Sequence, residues 1–306
     1  MCAYGELDYR ATCKFFGKNG GAATGIAASE PVTEFPWTGG VFGLDDLEWL
    51  AARGRPRIFA PVGPHNAGKT TFLAATYLGL CHGSEFEQHK FAGSFTLGGW
   101  ENLAGYMRYA PEGIGPQFPP HTANTAQRIP GLLHFALRRA DGLLVDAVLA
   151  DAPGEWFNKW ATHVAHEDAE GARWTAKHAD GFMFFVDSEE LAGANRGAAR
   201  DDLFKLAQRL AEHRAERPVA IVWSKSDLTV RPAIREQVDA RLKQLFPDGR
   251  IFSVTVRQPG PASDAAQRYF DVMSWLLNYR VTQRSLSSLP ARREDNPFLA
   301  YRGMSS

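Results

Sequence analysis

Cysteine is scarce: the chain has 3 in 306 residues, Cys2, Cys13 and Cys81. That excludes a disulfide framework and suits a reducing compartment. Cys2 and Cys13 do not make a zinc ribbon, because no second cysteine pair follows to close a four-ligand site. There is no excess of charge of either sign, with 34 basic residues against 34 acidic ones, so no overall field points to nucleic acid or a membrane surface. No apolar run reaches the ~18 residues of a membrane span. The N-terminus has no basic stretch leading into an apolar one of signal-peptide kind. Repeats of solenoid length are absent as well. These absences lead to the expectation of a cytoplasmic protein with no membrane span and no nucleic-acid partner indicated.

The chain is well supplied with core-forming residues, 44% of the total, and its length suits one α/β domain with appendages. Residues 17–40 are rich in Gly and Ala and read as a flexible connector. A short amphipathic helix is expected at 44–52. Beyond it, strand-length apolar runs at 57–62, 131–137, 143–150, 181–186, 219–223 and 251–256 alternate with helical patterns at 69–80, 159–177, 200–212, 232–246 and 262–279. Such alternation predicts a mostly parallel sheet with helices on both faces. The expected organisation is an N-terminal arm with linker and short helix at 1–54, an α/β domain at 55–285, and a polar tail at 286–306. Residues 81–128 break the rhythm with Gly, Pro and aromatics and read as an insertion that covers a ligand or meets a partner.

Three motifs carry chemistry, in a fixed order. Residues 63–70 read GPHNAGKT between an apolar strand and a helix. In that setting Gly63, Pro64, His65, Asn66, Ala67, Gly68, Lys69, Thr70 and Thr71 form a phosphate-binding turn at a helix N-terminus, to which all but Pro64 bring a backbone N–H. Lys69 would reach the β- and γ-phosphates, and Thr70 would ligate Mg²⁺. Asp151 ends an apolar strand and is followed by Gly154, a DxxG arrangement in which the carboxylate holds Mg²⁺ and the glycine N–H senses the γ-phosphate. AIVWSKSDL then places Ser224, Lys225 and Asp227 after a later strand. There a carboxylate accepts from guanine N1 and N2, donors that adenine does not present together, and the Lys225 stem packs on the ring. After the strand RIFSVTV, backbone groups near Thr255 and Val256 would meet guanine O6, with Ser253 as the alternative register. A second Mg²⁺-binding hydroxyl is expected between the first helix and residue 131, from Thr125 in preference to Thr122.

This ordered set, GPHNAGKT, DAPGE and SKSD, resembles the translation-factor-related (TRAFAC) class of GTPases over residues 57 to about 280. FAGSFTLGGWENLA, FPPHT and RIPGLLHFALRR look like the prokaryotic double-GTPase type-two family, whose members are inferred to act in multi-protein bacterial systems, some linked to defence. The resemblance implies a P-loop NTPase three-layer fold with a six-stranded sheet, its one antiparallel strand at 131–137. It also implies GTP/GDP and Mg²⁺, and at Asn66 a place near the phosphates sometimes shared with potassium. Where small GTPases carry a water-orienting glutamine, this chain has Glu155, so slow intrinsic hydrolysis is expected, with Lys69, Thr125, Gly154 and Glu155 as the catalytic set. The expected role is a regulatory switch read by a protein partner through its switch segments, with a nucleotide-dependent dimer as a further arrangement. The alternatives are an ATP-dependent P-loop enzyme and a non-hydrolysing nucleotide-binding module. His163 and His166, near Glu167 on one helical face, read as exposed residues and not as a metal pair, since no third ligand follows. Trp100, Tyr106 and Tyr109 read either as a docking surface or as core beneath the insertion.

Overall fold

A computed structural model of the chain describes residues 39–108, 130–256 and 262–279. Seven strands form one sheet. In chain order they are β1 (Arg57–Val62), β2 (His89–Gly93), β3 (Gly131–Arg139), β4 (Leu144–Asp151), β5 (Gly181–Asp187), β6 (Val219–Ser224) and β7 (Arg250–Ser253). Their spatial order is β2-β3-β4-β1-β5-β6-β7. β3 runs antiparallel to both neighbours and the other pairings are parallel. The helices are α1 (Asp45–Ala51), α2 (Lys69–Cys81), α3 (Leu97–Arg108), α4 (Gly154–Thr162), α5 (Glu170–His178), α6 (Ser188–Ala192), α7 (Arg196–His213), α8 (Pro232–Leu245) and α9 (Ala262–Asn278).

Central strands are apolar without alternation because both faces are covered: every residue of β5, GFMFFVD, is buried. One face packs on Trp156, Trp160, Ala172, Leu203, Leu210 and Leu242 from α4, α5, α7 and α8. The other packs on Phe72, Leu73, Trp100, Phe270 and Met273 from α2, α3 and α9. Gly79 lets α9 come close to α2, since a Cβ there would lie 2.4 Å from the Phe270 ring.

The expected α/β architecture is present, with four differences in detail. The sheet has seven strands, not six, because β2 adds an edge strand beyond the antiparallel β3. Edge strands need no apolar run, and HKFAG, exposed at three of five positions, has none. The described part of the 81–128 insertion is therefore structured. α3 forms despite Gly98, Gly99 and Gly105 because Trp100 is fully buried, stacked on Phe135 with centroids 4.2 Å apart, and Gly99 passes close to the Gly40 backbone. This settles Trp100 as core, while Tyr106 stays exposed. Tyr109, Thr122 and Thr125 lie outside the described residues, as do Cys2, Cys13 and the tail. Within the span expected as the 1–54 arm, Phe42 pairs with Leu132 through 2.8 and 3.3 Å backbone bonds, so the described residues before α1 join the sheet. Finally, the helix expected at 159–177 is broken into α4, a 3₁₀ turn (Glu167–Ala169) and α5. His163 ends α4 and His166 caps the turn, its Nδ1 accepting from the Asp168 N–H at 3.1 Å. The two histidines therefore do not share a helical face, and no group of three or more His, Cys, Asp or Glu placed to hold a metal occurs among the described residues.

Candidate functional site

The C-terminal ends of β1, β4, β5 and β6 lie along one edge of the sheet, and the loops leaving them define a cleft of about 540 Å³. Open α/β sheets place ligands at this edge because every crossover connection leaves a loop there. His65 to Phe72 line one end, Ser224, Lys225, Asp227, Leu228, Val254, Thr255 and Val256 the other, with Ala152, Pro153, Gly154, Glu189 and Tyr269 completing the wall.

At the first end the chain leaves β1 and turns into α2. Asn66 at φ 59° and Gly68 at φ 80° take left-handed backbone conformations, the geometry by which successive N–H groups form an anion-binding concavity. Gly63 is required by space, since a Cβ would lie 2.9 Å from Phe185 Cβ. Lys69 is buried, 6% exposed, and its Nζ donates to the Gly63 and Pro64 carbonyls at 3.0 and 2.8 Å. Burial lowers its pKa to about 8, against the opposing pull of the Asp151 and Asp187 carboxylates. The Thr70 hydroxyl donates to Asp151 Oδ1 at 3.2 Å, which brings together the hydroxyl and the carboxylate expected to share a divalent cation. Thr71 lines the same end.

Gly154 begins α4 in direct contact with the phosphate-loop backbone: a Cβ there would sit 2.4 Å from His65 N and 2.5 Å from Pro64 C. Only glycine fits this approach. Glu155 points outward, its side chain 59% exposed and its Oε1 3.9 Å from His65 Nδ1.

The second end is assembled from two separate segments, the loops that follow β6 and β7. Thr255, 4% exposed, donates its hydroxyl to Asp227 Oδ1 and fixes that carboxylate. The Ser226 N–H donates to the Val254 carbonyl at 3.1 Å, tying the two loops together. Ser224 Oγ donates to Val186 O at 3.3 Å and lies behind Gly68, where a Cβ would meet Ser224 Cβ at 3.7 Å. Ser253, the alternative register, instead accepts from Arg235 Nη2 at 3.1 Å and does not line the cleft. β7 ends at Ser253, so Thr255 and Val256 belong to the loop beyond it and not to the strand expected at 251–256.

Among the lining residues, Glu189 and Tyr269 were not anticipated, and neither was Asp187, which does not line the cleft but holds the anticipated Lys225. Asp187 ends β5 opposite Ser224 and caps α6, accepting from the Glu189 N–H at 2.9 Å. Lys225, held at φ 51°, donates its ammonium to Asp187 Oδ2 at 2.8 Å and Glu189 Oε2 at 2.7 Å. Burial works against its charge, but the two ion pairs outweigh burial and hold its pKa above the ordinary lysine value. A strand-terminal aspartate at the same sheet edge as Asp151 was a usable signal for Asp187. Tyr269 carried none: it sits within the helical pattern of α9, packed on Phe72 at 5.3 Å, and burial, with the Asp227 charge, raises its phenol pKa. The described part of the 81–128 insertion contributes nothing to the cleft.

The model of the family described as Double-GTPase 2 matches residues 57–277. No curated protein matches the chain. The matched span starts at β1 and ends one residue short of the end of α9, so it takes in the sheet and both ends of the cleft. The chain belongs to the Double-GTPase 2 family and carries a GTP-binding domain of that kind.

Proposed function

We propose that this member of the Double-GTPase 2 family is a slow, Mg²⁺-dependent GTPase whose switch segments are read by a protein partner. The observation that carries the reading is a single cleft with a phosphate loop and buried lysine at one end and a threonine-braced carboxylate, Asp227, at the other. Neither end alone specifies guanine nucleotide; the pair does, because the base donors and the polyphosphate lie at opposite ends of one molecule. Lys69 and the phosphate-loop N–H groups bind the phosphates, and Thr70 and Asp151 hold the Mg²⁺, which neutralises phosphate charge. The fit of these two side chains to a shared cation rests on their 3.2 Å approach.

The switch reading rests on Gly154. Its backbone lies against Pro64 and His65, so a γ-phosphate held by the phosphate loop accepts from the Gly154 N–H and holds the start of α4, and hydrolysis releases that contact. Glu155 supports slow intrinsic turnover: a carboxylate following Gly154 repels phosphate charge and faces solvent beside His65. A partner that supplies a cation in trans raises such rates by roughly 10³ to 10⁵. The same residue favours one second reading, a module that binds nucleotide without hydrolysing it. Thr125 in the metal shell, potassium at Asn66, a nucleotide-dependent dimer and a bacterial multi-protein system remain part of the proposal.

Calorimetric titration with GDP, GTP and ATP analogues in Mg²⁺ tests the assignment, and single-turnover hydrolysis separates GTPase from binding module. Guanine-selective binding is expected. Equal or better ATP binding, indifferent to Asp227→Asn, overturns the guanine assignment.

A further inference from the structure

The cleft is lined by two carboxylates, Asp227 and Glu189. A guanine nucleotide offers two sets of neutral donors: the N1 and N2 groups of the base, and the 2′ and 3′ hydroxyls of the ribose. Asp227, braced by Thr255, belongs with the base. We infer that Glu189 accepts hydrogen bonds from the ribose hydroxyls of the bound nucleotide, and so sets the preference for ribonucleotide over deoxyribonucleotide. This rests on the guanine reading above and deepens it.

The placement follows from the chain around Glu189. β5 ends at Asp187 in register with Ser224, the residue before Lys225. α6 starts there, and its capping by Asp187 fixes the Glu189 backbone at the mouth of the cleft. Lys225 spans from the base loop toward α6, where its ammonium lies 2.7 Å from Glu189 Oε2. With the lysine stem across the base, that ammonium reaches the sugar edge, and the Glu189 carboxylate is its immediate neighbour. A carboxylate has about four acceptor positions, so one carboxylate can serve an ammonium and a diol together. The Lys225 charge also offsets the repulsion between Glu189 and the phosphates. Carboxylate recognition of ribose hydroxyls is the solution used in dinucleotide-binding α/β sheets.

Glu189 acting only as a prop for Lys225 gives a different result. Asp187, 3% exposed, holds the same ammonium at 2.8 Å and keeps Lys225 in place when Glu189 is removed. The test is calorimetry on the full chain in Mg²⁺ with GDP, 2′-deoxy-GDP and 2′,3′-dideoxy-GDP, for wild type and Glu189→Ala. Wild type is expected to bind GDP on the order of tenfold more tightly than the dideoxy form, the scale of a hydrogen bond to a charged group. In Glu189→Ala, GDP affinity falls to the dideoxy level while dideoxy affinity holds. An unchanged ratio between the two ligands overturns the inference, whether both affinities fall together or neither does. So does a wild type that ignores the diol. A wild type that binds no guanine nucleotide fails the guanine reading itself and is recognisable as such. Glu189→Gln, isosteric and uncharged, serves if the alanine variant does not fold, with a narrowed ratio expected.

Discussion

On the proposed function, the two ends of the cleft perform comparable recognition tasks with different materials. The phosphate end comes from one continuous stretch, 63–71, and works mainly through backbone: left-handed turns at Asn66 and Gly68, a helix start, and one buried lysine. The base end comes from four segments separated in sequence and works through side chains: Asp227 held by Thr255, Lys225 held by Asp187 and Glu189, and Tyr269 in the wall. A backbone site tolerates many sequences provided its glycines remain, whereas a side-chain site depends on its partners staying in place. The first is the more robust to substitution outside a few positions, and the second is where the proposed function puts specificity.

The comparison breaks first at Lys69. Lys69→Ala is expected to weaken guanine and adenine nucleotides alike, by roughly a hundredfold in titration, because it removes charge-assisted bonds to the phosphates. Asp227→Asn sharpens the contrast: a guanine-selective loss of about 2 kcal/mol, with residual ATP binding unaffected, separates the ends cleanly. If ATP and GDP fall together, the two ends are one cooperative unit and the comparison fails. Gly154→Ala places a Cβ against the His65 and Pro64 backbone; overpacking of this kind costs about 1 to 3 kcal/mol, readable as a lower melting temperature. Thr255→Val leaves Asp227 in place but unbraced, and a smaller loss of guanine affinity, ~1 kcal/mol, is expected with phosphate binding intact.

The smallest effect is a pH dependence at the phosphate end. Lys69 has its folded pKa lowered to about 8 from 10.5 by burial. Between those values the unfolded chain binds the proton that the folded protein has released, so the nucleotide-free protein gains stability from Lys69 as pH rises through that window. Below about 8 the cost of burying the charge is carried in full. Phosphate binding restores the charge, so GDP binding near pH 8.5 takes up a fraction of a proton, measurable by calorimetry in buffers of different ionisation enthalpy. Lys69→Met abolishes both effects.

Local stretches made much of this molecule readable. GPHNAGKT carries its turn and helix start within eight residues, and Asp151 and Asp227 stand at the ends of apolar runs that parallel, doubly covered strands require. β2 and α3 were hidden because an edge strand needs no apolar pattern and because the three glycines of α3 speak against a helix that Trp100 and Phe135 nonetheless hold in place. The break between α4 and α5 was hidden by a continuous helical composition.

The sequence by itself determined the layered α/β plan, the phosphate loop and the order of the motifs, since each depends on neighbours within a few residues or on a repeating apolar period. Only the tertiary structure decided that Thr255 and not Ser253 braces Asp227, that Gly154 lies on the phosphate loop, that Glu189 and Tyr269 share the cleft, and that Asp187 holds Lys225. Those relations join residues tens to hundreds of positions apart, and the parallel sheet sets them by bringing the ends of separate strands to one edge.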